Sequence, residues 1–275
     1  MCSLRVLFVS MFLPAGCHCS SFLILFVTYV SNGSAKESDC RFGYELLQKQ
    51  LDNLQSQFLN LTKPSDHYIE SCRDVRPPQS SGLFRIRLTP QDPAPFSVYC
   101  EIITAFGGGW TIVQHRYEGF VDFYRGWQDY RDGFGILGGE SWLGLEQLHR
   151  LTARDSHELL VEVRNSSGSV LYAHYSEFRV GSEEQKYRIL KLGSYSGSAG
   201  DWLRVHDGKK FTTYDSDNDS DRENCAKNFR GGWWFNHCFN SHLNGEYSNE
   251  GKYHGIRWDS TKPAMKFSRM MIRKK

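Results

Sequence analysis

Residues 212–240 read TTYDSDNDSDRENCAKNFRGGWWFNHCFN. Aspartates occupy alternate positions over residues 215–221, and two cysteines flank a run that contains adjacent tryptophans. Carboxylates and turned backbone carbonyls at this spacing are typical of calcium sites, which use about six to eight oxygen ligands. An EF-hand loop starting at Asp217 would need Gly at Arg222 and Glu at Asn228, so this is not an EF-hand. The alternative is a solvated acidic loop without metal, in which the clustered carboxylates would repel one another.

The cysteine spacing predicts two disulfide bonds. Cys225 and Cys238 are 13 positions apart and Cys72 and Cys100 are 28 apart, so the simplest pairing is sequential. In the chain-entropy model, closing the shorter loop contributes roughly 3 kcal/mol. That bond would hold the acidic segment against GGWWFNHC. Zinc binding is the alternative, but no C-x-x-C or paired histidine spacing accompanies these cysteines.

The composition limits the function classes. The chain has 275 residues, of which 40% are hydrophobic, which is enough for one principal domain. The net charge is only +2, and no Lys/Arg block or basic amphipathic helix occurs, so nucleic acid is not an expected partner. G-x-S-x-G, H-E-x-x-H and phosphate-loop motifs are absent from the sequence, so we expect no enzyme.

Residues 1–35 predict a signal peptide. Two apolar runs, VLFVSMFL and FLILFVTYV, precede SNGSA, which suits a cleavage site at small residues. A signal anchor is the alternative, but the second run is far shorter than the roughly 20 residues that span a membrane. We therefore expect a secreted, extracellular protein without membrane insertion. The mature chain would keep an odd number of cysteines, which predicts an intermolecular disulfide through Cys40.

Residues 36–66 predict a short coiled-coil segment. Apolar residues recur at alternating steps of three and four, and Pro64 ends the pattern. Because so short a helix associates weakly alone, Cys40 would complete a disulfide-linked homo-oligomer; the alternative is a helix that packs on its own domain. Glycosylation acceptors occur at Asn60 and Asn165, and a third tripeptide at Asn218 falls inside the acidic segment.

The rest of the chain favours an α+β domain over residues 67–275. FSVYCEI, WTIVQH, LLVEVR and SEFRVG read as strands. Residues 140–152 predict a helix with Trp142, Leu145, Leu148 and Leu151 on one face. After about residue 200 the sequence predicts loops, where binding groups concentrate.

Residues 72–273 resemble the fibrinogen C-terminal domain family. The resemblance rests on many blocks in order, among them CRDVRPPQSSGLFRIRL, GGGWTIVQHRYEGFVDFYRGWQDYRDGFG, GESWLGLEQLHRLT, residues 212–247 and MKFSRMMIRKK. It implies an N-terminal disulfide region, a central antiparallel sheet with helices, and a loop-rich region that bears calcium and ligand. With the leader and coiled segment, the chain resembles secreted invertebrate proteins of the tachylectin and ficolin type.

The resemblance also implies the calcium ligands. The side chains of Asp217 and Asp219 fall at the carboxylate positions, and the backbone carbonyls of Asp221 and Glu223 at the other two. Glu223 stands where the family usually has Gly, so we expect strain in that turn.

In the lectin branch of the family, acetylated sugars bind beside this loop. The positions that match the ligand pocket are Phe229, Phe239 and Tyr253, with Trp234 as a wall and a cis peptide between His237 and Cys238 that presents its N–H. Phe239 stands where ficolins and fibrinogen usually have His, and Lys262 and Pro263 lie where an aromatic residue is typical. The pocket is therefore expected to be altered.

The resemblance implies a calcium-dependent lectin-like protein that binds acetylated glycans on microbial or cell surfaces in innate immunity. The alternative is an angiopoietin-like ligand or adhesion factor that binds a cell-surface glycoprotein receptor.

Overall fold

The computed structural model describes residues 3–8, 25–30, 49–50, 53, 68–76, 78–247, 254–260 and 262–275. The chain divides into two units, residues 1–63 and 64–275. In the first unit, β1 (Ser3–Phe8) pairs antiparallel with β2 (Leu25–Val30). Residues 49, 50 and 53 are helical. The predicted cleavage site, Cys40, Asn60 and most of the coiled segment lie outside the described residues, so the signal peptide, the intermolecular disulfide and the coiled coil stay predictions.

The second unit is an α+β domain, as predicted. Its strands are β3 (Tyr68–Ile69), β4 (Gly82–Ile86), β5 (Phe96–Glu101), β6 (Trp110–Arg116), β7 (Phe134–Gly135), β8 (Ser141–Trp142), β9 (His157–Arg164), β10 (Val170–Val180), β11 (Ile189–Leu192), β12 (Tyr195–Gly197) and β13 (Phe267–Lys274). Its helices are α1 (Trp127–Asp132), α2 (Leu145–Arg154) and α3 (Cys225–Asn228), with short 3-10 turns at Cys72–Asp74 and Arg204–His206. None of the helices in the described part of the chain is long and apolar enough to cross a membrane.

One large sheet organises the domain. Its strand order is β11-β10-β9-β13-β6-β5-β4-β3, and all neighbours on this path are antiparallel except β3 and β4. The C-terminal strand β13 lies in the middle, between β9 and β6. The strand segments predicted from alternation all lie in this sheet, and the predicted α+β class is confirmed.

The predicted helix over residues 140–152 begins later than expected. Trp142 lies on β8, whose pairing with β6 places it opposite Gln114, and the helix begins at Leu145. Gly144 precedes the helix with φ of +111°, a conformation that favours glycine and separates the strand from the helix. Leu145, Leu148 and Leu151 are buried, as their spacing predicts.

The sheet holds the loop-rich region through buried polar side chains. At the end of β6, Gln114 Nε2 donates to the Leu243 carbonyl at 3.0 Å and to Asn244 Oδ1 at 3.1 Å. Arg116, also on β6 and 1% exposed, donates to the carbonyls of Leu243 and Gly245. Each donor satisfies loop carbonyls that have no ladder partner, so the loops are fixed without regular strands.

A buried histidine joins two further loops beneath the candidate site. His206 is fully buried; its Nδ1–H donates to the Trp234 carbonyl at 2.7 Å, and its Nε2 accepts the Ser241 N–H at 3.2 Å. Burial lowers the pKa of His206 to about 4, so the imidazole is neutral at physiological pH and can both donate and accept.

Candidate functional site

The acidic loop, defined as residues 215–223, is tied to the domain at both ends. Asp215 Oδ1 accepts the Trp127 N–H at 2.9 Å, at the first residue of α1. Asn224 Nδ2 donates to the carbonyls of Thr213 and Tyr214 at 3.0 and 3.3 Å. Asp215 therefore has a structural role at a helix N-terminus, and the metal prediction rests on the aspartates that follow it.

The remaining aspartates form a chain of side-chain to backbone hydrogen bonds. Asp217 Oδ1 accepts the Asp219 N–H at 3.3 Å, Asp219 Oδ1 accepts the Asp221 N–H at 2.9 Å, and Asp221 Oδ1 accepts the Glu223 N–H at 3.2 Å. Asp219 Oδ2 also accepts the Cys225 N–H at 3.0 Å. This pattern produces successive turns that bring carboxylates two residues apart into one short loop.

The chemistry of this donor set fits calcium. Burial and the negative charges of Asp217 and Asp221 raise the pKa of Asp219, despite the N–H groups of Asp221 and Cys225 that lower it. The raised pKa means that ionising Asp219 costs free energy in the absence of a cation, and a bound cation would offset that cost. The carbonyls of Asp221 and Glu223 accept no protein hydrogen bond from the described residues, so both are open as ligands.

The expectation of strain at Glu223 is wrong. The non-glycine residues with positive φ in this region are Arg230 and Cys238, each at +52°, and Glu223 is not among them. The turn is set by the Asp221 side chain, which holds the Glu223 N–H, and this conformation does not need glycine.

Two connections couple the acidic loop to residues 236–239. The Cys225–Cys238 disulfide forms as predicted, with the Cα atoms 5.3 Å apart, and the predicted Cys72–Cys100 disulfide also forms, joining the first 3-10 turn to β5. The Ser220 N–H donates to the Asn236 carbonyl at 3.1 Å. Asp221 lies close to the sulfur atoms of Cys225 and Cys238, but disulfide sulfurs are not thiolate ligands, so the zinc alternative is not supported there.

An aromatic surface, defined as the side chains of Phe229 and Phe239, lies beyond the disulfide. The two half-buried rings meet edge to face with centroids 4.8 Å apart. Phe235 and His242 are fully buried and contact Phe239 at centroid distances of 6.3 and 5.4 Å. The half-buried rings of Phe229 and Phe239 therefore pack on a layer of buried side chains.

The buried His242 beneath the aromatic surface also orients the backbone of Phe229. Its Nε2 donates to the Phe229 carbonyl at 3.2 Å, and burial lowers its pKa to about 3. Its Nδ1 is buried without a hydrogen-bond partner from the described residues. The neutral ring packs as an aromatic plate below the surface, a role that the sequence did not reveal because the histidines are scattered.

The backbone at the second cysteine has an unusual conformation. Cys238 has φ of +52°, a region that non-glycine residues rarely adopt, and its carbonyl accepts the Asn236 N–H at 3.0 Å. His237, between them, has a side chain that is 73% exposed, with Nδ1 3.9 Å from Asp221 Oδ2. The tight turn therefore projects His237 outward beside the aromatic surface. The cis peptide at this position stays a prediction.

The structure corrects the role of Trp234. The side chain has no exposed surface and packs edge to face on Phe211 and Phe178, with its Nε1–H donating to the Tyr187 carbonyl at 2.7 Å. Trp234 belongs to the core and does not form a wall of the ligand surface. Tyr253 lies outside the described residues, and Lys262 and Pro263 are exposed.

The glycosylation acceptors differ in their surroundings. Asn165 lies in the turn between β9 and β10; its Oδ1 accepts from Ser167 and Ser169, and its Nδ2 has no partner among the described residues. Asn218 Nδ2 instead donates to the Phe211 and Ser216 carbonyls at 2.9 and 3.2 Å. A glycan on Asn218 would break these bonds, whereas Asn165 stays a predicted acceptor.

Comparison with known proteins identifies the family. The family model for the C-terminal globular domain of fibrinogen beta and gamma chains matches residues 69–275. The chain belongs to this fibrinogen C-terminal domain family. Mouse fibrinogen C domain-containing protein 1 is 44% identical over 206 residues, which are 71% of this chain and 44% of that protein. Mouse tenascin-R is 43% identical over 178 residues, 65% of this chain and 13% of that protein.

Solved structures of the family share the fold. The fibrinogen-like globe domain of human ANGPTL2 aligns with a TM-score of 0.69 at 36% identity, covering 74% of this chain and 98% of that one. Lamprey fibrin D-dimer, complexed with the peptide ligand Gly-His-Arg-Pro-amide, aligns with a TM-score of 0.69 at 29% identity, covering 86% of each chain. The chain spans about half the length, or less, of the curated relatives it matches. Its place within the family, including the tachylectin and ficolin type, stays a prediction.

Proposed function

We propose that this fibrinogen-domain chain is a secreted, non-catalytic recognition protein that binds its ligand at the aromatic surface with calcium in the acidic loop. The observation that carries the proposal is the double link between these two features. The Cys225–Cys238 disulfide and the hydrogen bond from Ser220 to Asn236 both join the loop to the segment that bears Phe239. Ordering the loop would therefore order the ligand surface.

Calcium would be held by the carboxylates of Asp217 and Asp219 and the carbonyls of Asp221 and Glu223. When bound, the ion would neutralise the clustered carboxylates. The protein residues hold the loop shape through their own hydrogen bonds, because each aspartate accepts the N–H two residues further on. This preorganisation lowers the entropy that ion binding must overcome.

The ligand class that we propose is acetylated glycans on microbial or cell surfaces, bound in innate immunity. The rings of Phe229 and Phe239 offer an apolar surface that suits an acetyl methyl group, and the exposed His237 adds a polar group beside it. With Phe239 in place of a polar residue, binding by one domain would be weak. A disulfide-linked homo-oligomer through Cys40 would raise the effective concentration of sites.

A second candidate is an angiopoietin-like ligand or adhesion factor whose same face binds a cell-surface protein. It is supported by the similarity to the globe domain of human ANGPTL2 and by the peptide ligand named for the lamprey fibrin structure. An aromatic anchor beside carboxylates also suits a peptide that carries apolar and cationic side chains.

A glycan array probed with the secreted chain tests the proposal. We expect signals on N-acetylated glycans in calcium, loss of these signals in chelator, and loss with Phe239→Ala. Phe120→Ala is the matched control, because Phe120 is 82% exposed and lies outside the aromatic surface. A blank array together with calcium-dependent, Phe239-sensitive binding to one cell-surface protein would favour the second candidate. Glycan binding that survives both chelator and Phe239→Ala would contradict the site itself.

A further inference from the structure

Strand β11, at the edge of the large sheet, lies beside the loop of residues 208–211. Together with the end of β10, they bring cations from three parts of the chain close to one another. The Ile189 N–H donates to the Lys209 carbonyl at 3.1 Å, and the Gly208 N–H donates back to the Ile189 carbonyl at 3.1 Å. The Phe211 N–H donates to the Lys186 carbonyl at 2.9 Å. Residues 186–189 and 208–211 therefore run side by side in opposite directions at the edge of the sheet.

A β-bulge turns additional side chains of this edge outward. Arg179 pairs with Lys191 while the next residue, Val180, pairs with Ile189, so Leu190 is the extra residue of the bulge. Both Leu190 and Lys191 are consequently exposed, although consecutive strand residues normally point to opposite faces.

The cationic edge consists of Arg179, Arg188, Lys191, Lys209 and Lys210. Lys191 pairs with Glu177 at 2.9 Å, and the other four have no carboxylate within 4.0 Å among the described residues. The Arg188 Nε donates to the Gly208 carbonyl at 3.0 Å, which holds its guanidinium at the loop that carries Lys209 and Lys210. This is a local excess of positive charge on a chain whose net charge is only +2.

Protection of the sheet edge does not account for this charge. Lysines on edge strands prevent unwanted strand pairing, but Lys209 and Lys210 lie on the neighbouring loop. The backbone of Ile189, which would otherwise be open at the edge, is already paired with that loop. Edge protection therefore does not explain the positive charge of Lys209 and Lys210.

We propose that the cationic edge binds a sulfated polysaccharide. Its cations lie along one edge of the sheet, which suits a linear polyanion. The planar guanidinium of Arg188 can donate two parallel hydrogen bonds to one oxyanion. The exposed large apolar side chains near these cations are the aliphatic Leu190 and Val205, which offer no stacking surface for nucleic-acid bases. The exposed Asp207 of the same loop pairs with Arg204 at 3.6 Å and not with these cations. The two disulfide bonds are typical of the oxidising compartments in which such polysaccharides occur.

Binding to immobilised heparin at several salt concentrations tests this proposal in the full chain. The slope of log affinity against log salt is negative for a polyanion complex. We expect Arg188→Gln/Lys209→Gln/Lys210→Gln to reduce its magnitude by about 2 to 3, at roughly 0.7 to 0.9 per lost contact. The matched control is Arg76→Gln/Arg164→Gln/Lys275→Gln, which removes three exposed cations elsewhere and should change the slope by less than about 1. If the Arg188 variant has a lowered Tm, Lys209→Gln/Lys210→Gln alone is compared with Arg76→Gln/Lys275→Gln.

Three results would overturn the proposal. Wild type that fails to bind heparin at about 0.15 M salt, the physiological ionic strength, would show that the edge is not a binding site. An equal loss of heparin affinity and an equal change in the slope for both triple variants would show that only the net charge of the protein matters. Competition by single-stranded DNA as effective as by heparin of the same charge would assign the edge to a different polyanion, while unsulfated hyaluronan is expected to compete poorly.

Discussion

Replacement of Glu140 by Gln tests how one buried carboxylate shapes an exposed loop. Glu140 is 3% exposed, and its Oε1 accepts the N–H groups of Tyr117, Glu118 and Gly119 at 2.9, 3.0 and 2.8 Å. Its Oε2 accepts the Val121 N–H at 3.1 Å. One carboxylate thus satisfies four N–H groups of the loop over residues 117–121, and a neutral amide cannot replace it fully.

The magnitude follows from the change in the acceptor. Hydrogen bonds to a charged group contribute about 1.5–3 kcal/mol and neutral ones about 0.5–1.5 kcal/mol, so each N–H on Oε1 loses about 1 kcal/mol. The amide nitrogen of Gln would in addition face the Val121 N–H, donor against donor. Allowing for non-additivity, we expect the free energy of unfolding to fall by about 3 kcal/mol. For a domain of this size, that corresponds to a decrease in Tm of about 6–12 °C.

The pH dependence gives a second readout with a definite sign. Burial alone would raise the pKa of Glu140, but the four backbone N–H groups outweigh it and lower the pKa below its ordinary value. A lowered folded-state pKa stabilises the protein above the unfolded-state pKa, near 4.3, and that stabilisation is lost as the pH falls through the folded-state pKa. The difference between wild type and Glu140→Gln should therefore shrink in acid.

Calorimetry or urea unfolding at several pH values measures both effects. The matched control is Glu118→Gln, an exposed carboxylate in the same loop, which should change stability by less than about 0.5 kcal/mol. Equal melting temperatures for the two variants, or a gap that persists unchanged at low pH, would refute this account of Glu140.

The remaining predictions concern the metal, the chain assembly and the buried histidines. Asp217→Asn with Asp219→Asn should remove the calcium-induced rise in Tm, which corresponds to about 2.7 kcal/mol when the free calcium concentration is about 100 times Kd. If the double variant lowers Tm by the same amount with calcium and with chelator, the metal site is contradicted. Cys40→Ser should convert multimers to single chains on non-reducing gels, and unchanged migration would rule out that bridge. Because burial lowers the folded-state pKa of His206 to about 4 and of His242 to about 3, their neutral forms stabilise the fold above about pH 6.5. That stability should fall by about 2 kcal/mol per histidine between pH 6.5 and 5 in urea titrations, and a flat profile would contradict it.

Local patterns were sufficient where the physical cause is local. Alternation predicted strands such as β5 and β6, and cysteine spacing predicted both disulfides. The helical face of Leu145, Leu148 and Leu151 was also correct. In each case the signal lies within a few residues, because side-chain direction repeats every two or 3.6 residues.

Predictions failed where distant segments decide the outcome. Trp142 continues a helical spacing, yet its pairing with β6 makes it a strand residue. Trp234 lies next to ligand-side residues in sequence, but the core formed by Phe178 and Phe211 buries it. The cationic edge was invisible as a basic block, because Arg179, Arg188 and the lysine pair come from separate segments that only the sheet edge aligns.

The position of the acidic loop supports the proposed coupling between calcium binding and ligand binding, without a large movement. The Cys225–Cys238 disulfide joins the residue two positions after the loop to the residue before Phe239, and the Ser220 N–H donates to the Asn236 carbonyl. Beneath them, buried His206 fixes the carbonyl of Trp234 two residues before Asn236. Because the segment is held from below by neutral, buried groups, an ion bound as we propose would act on the charge of the loop. Its effect would reach Phe239 through the Cys225–Cys238 disulfide, since Cys238 is the residue before Phe239.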